Sequence, residues 1–126
     1  MGNCCYNKNY FEFEIVKCQN ISDIKKLIED KIKYLIKEKE NYNISYNNES
    51  DRSNKNILNK NINDTENIIK EYERMINLLN KYEKKIRSIP KIKHLIDNIN
   101  KYEKQKDYAS IKFIIDGFEN YCISHY

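Results

Sequence analysis

Ile68, Tyr72, Met75, Leu79, Tyr82, Ile86 and Ile89 follow one another at spacings of four and three residues without a break. At 3.6 residues per turn these positions share one side of a helix, whereas a strand would scatter them over both faces. A seam of that length has to be buried, against the rest of the chain or against a second copy. The spacing therefore predicts a long helix, here called the seam helix. Asn63 and Glu66 can form a capping box at its start, and Pro90 ends it near Ser88–Ile89.

Three more stripes have the same period. Ile21, Ile24, Leu27, Ile28, Ile32, Leu35 and Ile36 predict a helix over 21–41, with Asn20 or Ser22 as its cap. Pro90 suits a first helical turn, after which Ile92, Leu95, Ile96, Ile99 and Tyr102 carry a helix to about Lys104. Asp107 can cap a last helix that turns Tyr108, Ile111, Ile114, Ile115, Phe118 and Cys122 inward, and Gly117 within it marks a close crossing or an early end. The stretch from Asn41 to Lys55 has little to bury and reads as a mobile polar loop, near 41–56. Phe11-Glu12-Phe13-Glu14-Ile15 alternates like a strand, but a lone strand has no partner. Extended packing or a first helical turn is expected there, within a flexible leader over 1–19.

Tyr102-Glu103-Lys104-Gln105-Lys106-Asp107-Tyr108 resembles the turn of a tetratricopeptide hairpin over about twenty residues. Ile99 and Ile111 stand where that repeat places small residues, and no second copy follows, so the segment is read as an ordinary helical hairpin. The fold expected is all-α: a small antiparallel bundle of three to four helices, one domain over 20–126.

Ile, Asn, Lys and Tyr dominate helices and loops alike, the mark of an AT-rich genome choosing among permitted residues. A net charge of +4 is too mild to imply nucleic acid, and no nucleic-acid partner is expected. The excess is local. Between Lys81 and Lys106 nine basic residues face three acidic ones, and Lys84, Lys85, Arg87, Lys91 and Lys93 surround the Pro90 break. These five are the candidate contacts to anionic lipid headgroups.

No apolar run approaches the ~18–20 residues of a membrane span, and residues 1–20 lack the apolar core of a signal peptide. A cytosolic chain with reduced thiols is expected, with no disulfide among its four cysteines. On that footing the Asn-x-Ser/Thr matches at Asn20, Asn43, Asn48 and Asn63 are chance products of an Asn-rich chain.

Met1-Gly2-Asn3-Cys4-Cys5 resembles the start of dually acylated proteins, such as those of protist pellicles and plasma membranes, with Tyr6 where the usual pattern has Ser or Thr. The resemblance implies myristoylation of Gly2 and palmitoylation of Cys4 and Cys5. One myristoyl chain binds a bilayer only marginally, with K of about 10⁴ M⁻¹, and a second acyl chain makes release slow.

Catalytic chemistry finds no foothold. Gly2 and Gly117 are the only glycines, which excludes a phosphate-cradling loop and a calcium loop of the EF-hand type. Cys122 and His125, even joined by Cys18, do not make the paired motifs of a zinc site, so no metal and no cofactor is expected. Nor do the scattered acids form a catalytic pair. The reading is a non-enzymatic adaptor or scaffold, held on the cytosolic face of a plasma or pellicle membrane by Gly2, Cys4 and Cys5, whose bundle binds a protein partner. The alternative is a soluble coiled-coil or bundle subunit of a larger complex, self-associating through Ile68, Tyr72, Met75, Leu79, Tyr82 and Ile86.

Overall fold

The computed structural model describes residues 8–126 as backbone and from Phe11 onward as side chains. Over these residues the chain is all-helical, with five helices where three to four were expected: α1 (Lys8–Lys17), α2 (Ile21–Asn48), α3 (Arg52–Tyr82), α4 (Ile89–Lys104) and α5 (Tyr108–His125). Ion pairs fix their directions. Lys25 meets Glu83 and Lys39 meets Glu66, so α2 and α3 are antiparallel. Glu12 meets Lys104 while Lys93 reaches the carbonyls of Val16 and Cys18, so α1 runs against α4. Lys31–Glu103 and Glu38–Lys106 set α2 parallel to α4, and Glu71–Tyr108 and Arg74–Glu119 set α3 parallel to α5, so each helix reverses the one before it, the up-and-down order that short connections impose.

The additional helix is α1. Phe11, Ile15 and Cys18 are buried at spacings of four and three, a helical phase that the period-two reading of 11–15 overlooked. Phe13, the residue that made the segment alternate, is left outside. Burying Phe11 and Ile15 contributes about 1.5–3 kcal/mol each, so from Lys8 on these residues belong to the bundle. This corrects the expected 1–19 leader. Residues 1–7, with Gly2, Cys4 and Cys5, lie outside the described residues.

The expected polar loop over 41–56 is also corrected: only 49–51 is non-helical. Asp51 accepts the Asn54 N–H (3.1 Å) and caps α3 well before the Asn63 box. The polar stretch stays helical because each helix covers a thin strip of the other. Tyr42 and Tyr46 on α2 and Leu58 and Ile62 on α3 are half-buried at i, i+4 spacing. Full burial in α2 stops at Leu35 and in α3 begins at Thr65, so 36–48 and 52–64 project as a two-helix arm about 20 Å long.

The remaining ends follow the sequence more closely. Asn20 caps α2, Ser88 caps α4 with Pro90 in its first turn, and Asp107 caps α5. The seam helix nevertheless stops at Tyr82, where the N–H groups of Lys85 and Ile86 both return to the Tyr82 carbonyl (2.9 and 3.1 Å). Ile86 falls in the connection and Ile89 opens α4. The hairpin between α4 and α5 is closed by a Schellman motif: Asp107 N–H to Tyr102 O (2.9 Å) and Lys106 N–H to Glu103 O (3.0 Å), with Lys106 left-handed at φ 55°. Lys106 also reaches the Glu38 carboxylate (2.8 Å), which ties this turn to the root of the arm.

Ile68, Tyr72, Met75 and Leu79 are wholly buried and Tyr82 nearly so. From Ile68 to Tyr82 the seam is core, covered by the chain itself, and Ile86 is half-buried against it. Gly117 lies inside α5, and a Cβ built there meets nothing within 4 Å, so it marks neither a close crossing nor a helix end.

Candidate functional site

The five basic residues do not form one patch. Lys93 lies on the α1 side of α4, where its ammonium donates to the carbonyls of Val16 (2.8 Å) and Cys18 (2.9 Å) at the end of α1. A cation there satisfies acceptors that the helix leaves open and complements its dipole. Lys85 donates to the main-chain oxygen of Tyr126 (2.7 Å). Lys84, Arg87 and Lys91 are exposed, and among the described residues none has a hydrogen-bonded or ion-paired carboxylate.

The exposed Arg87 and Lys91 line a crevice of about 330 Å³ between α4 and α5. Its apolar lining comes from Ile86, Ile92, Leu95 and Phe118, with Tyr121 and Tyr126 beside them. Tyr126 packs edge-on to Tyr121 (5.7 Å) and against Tyr82 (5.8 Å), while His125 stacks on Tyr121 (4.1 Å). Sequence reasoning identified the two cations but not the apolar wall beside them. The available signal was the aromatic series Phe118, Tyr121, His125 on α5, spaced three and four apart.

A second polar constellation lies in the core. The Lys31 ammonium sits 2.7 Å from Glu103 Oε1, in an ion-pair contact rather than an aligned hydrogen bond, with the two side chains 2% and 6% exposed. Phe11 and Tyr34 cover the ammonium at 5.1 and 5.6 Å. The Tyr72 hydroxyl, Thr65 Oγ1 and both amide atoms of Asn100 are buried without a hydrogen-bond partner. Burial, and then the charge of Glu103, raise the Tyr72 phenol well above its ordinary value and keep it protonated. The neighbouring Tyr34 is pushed up to about 12, by burial first and then by Glu38. Removing one member of such a pair costs more than the pair contributes, because the other charge is left uncompensated.

Between α3 and α5, Arg74 holds Glu71 (2.7 Å), Asp116 (2.7 Å) and Glu119 (2.8 Å). Every group in this cluster has a partner, so it is a clasp rather than a reactive site. Cys18 and Cys122 are buried, and burial raises both thiols. That makes them poor nucleophiles. Among the described residues no three His, Cys, Asp or Glu side chains come together as metal ligands, and His125 instead contacts the Tyr121 carbonyl (3.0 Å). Among the described residues no helix is long and apolar enough to cross a membrane. No protein-family model matches this chain, and neither a curated protein nor a solved structure does.

Proposed function

We propose that the protein is a non-enzymatic adaptor, attached to the cytosolic face of a membrane through acyl groups on Gly2, Cys4 and Cys5, that presents a helical surface to a protein partner. The observation that carries this reading is the closeness of the acylation motif to α1. Cys5 precedes Lys8 by three residues, a reach of at most about 11 Å. A chain acylated at Cys5 would thus hold α1 against the bilayer surface. On the outer side of α1, Phe13 is 59% and Val16 70% exposed, and the Lys17 ammonium lies 3.9 Å over the Phe13 ring. Apolar side chains beside a lysine suit the headgroup boundary. Lys84, Arg87 and Lys91 are the cations of the basic segment left to meet anionic headgroups.

The arm supports the partner half of the proposal. It carries Ile36, Ile44 and Ile57 exposed on two helical segments that contribute nothing to the core of the body.

The deciding experiment is fractionation of native cells with myristate and palmitate labelling. Wild type should sediment with membranes and take both labels; Gly2→Ala should move to the soluble fraction and lose both. A Gly2→Ala protein that stays wholly with membranes would overturn the acyl anchor.

A further inference from the structure

We propose that the crevice between α4 and α5 binds one long-chain fatty acid, its hydrocarbon on Ile92, Leu95 and Phe118 and its carboxylate between Arg87 and Lys91. This goes beyond the anchor and does not depend on acylation of Gly2, Cys4 or Cys5. Two features select this occupant. The first is charge: two exposed cations line the crevice, no acidic side chain does, and Lys85 is engaged elsewhere, at the main-chain oxygen of Tyr126. The Arg87 guanidinium presents the planar donor fork that fits a carboxylate.

The second feature is size. About 330 Å³ lies near the lower end of small-molecule sites, enough for a single chain and not for a two-chain lipid. The floor offers the chain an apolar surface, with Ile92 and Phe118 both buried.

The test is calorimetric titration of the full-length, unacylated chain with laurate below its micelle concentration, and with dodecanol as the uncharged counterpart. Laurate should bind at one site. Arg87→Gln with Lys91→Gln should weaken it about tenfold, with dodecanol unchanged and weaker than laurate in the unsubstituted chain. Leu95→Trp should fill the crevice and abolish laurate binding. Because Arg87 and Lys91 are exposed, their double variant retains the fold and keeps the test valid even if the tryptophan perturbs packing. A flat laurate titration, an affinity that neither variant changes, or dodecanol binding as tightly as laurate would overturn the proposal. Phosphatidylserine vesicles separate it from headgroup contact: laurate binding lost in Leu95→Trp while vesicle binding persists supports a site in the crevice, and loss of neither would overturn it.

Discussion

Residues 21–35 and 36–48 belong to one unbroken helix, yet they hold their shape for different reasons. The first half places Ile21, Ile24, Leu27, Ile28, Ile32 and Leu35 in the core. The second half buries nothing fully and is helical only because α3 runs alongside it. Helix in a protein usually reflects tertiary burial. In the arm, mutual shielding of thin strips, together with pairs such as Lys60–Asp64 (2.6 Å), is sufficient. Secondary structure therefore does not show where the stability resides. A substitution in the body acts on the core of the domain, and one in the arm acts on a surface.

The sharpest way to test this contrast is to place the same carboxylate in each region. Leu79→Asp buries an unpaired charge at a wholly covered position and should cost more than about 4 kcal/mol, abolishing the cooperative melt. Ile44→Asp, on the exposed side of the arm, should change stability by less than about 0.5 kcal/mol. Thermal unfolding followed by circular dichroism reads both, and comparable losses would mean the arm is part of the core.

Next in size is Phe11→Ala. It removes a wholly buried ring and uncovers Lys31, and about 3–5 kcal/mol should be lost in denaturant titration. A loss below about 1 kcal/mol would make α1 an appendage and restore the leader as a separate segment. The smallest effect runs the other way. Gly117→Ala should stabilise the body by about 1 kcal/mol, since the position is mid-helix and a methyl group meets nothing there. A lowered melting temperature would show that α5 needs the glycine.

The helical class, the stripes of α2, α4 and α5, and the caps at Asn20 and Asp107 were legible because each depends on local chemistry. The arm was not, since its signal is a pair of weak patterns, Tyr42/Tyr46 and Leu58/Ile62, that gain meaning only when they face each other. The helical phase of α1 was hidden because Phe11 to Ile15 satisfies both a period of two and a spacing of four. The buried ion pair does leave a trace in the sequence. Lys31 occupies the core phase of Ile24, Ile28 and Leu35, and Glu103 that of Ile92, Ile96 and Ile99. Opposite charges, each at a core position of a separate stripe, mark two helices that must meet. The crevice was half legible: the positions of Arg87 and Lys91 were evident, but its apolar wall is assembled from two helices and the turn before them.

The fastening of α1 has a mechanical consequence, and Lys93 is central to it. The Lys93 ammonium grips the far end of α1 through two carbonyls, and the Lys104–Glu12 contact (3.1 Å) holds the near end. A pull along the axis of α1, applied at Lys8, is therefore resisted in shear at both ends and along the buried strip of Phe11, Ile15 and Cys18 together. Load entering at the start of the chain spreads into α4 before it reaches the turn at Gln19–Asn20, so α1 serves as a cleat for the rest of the fold.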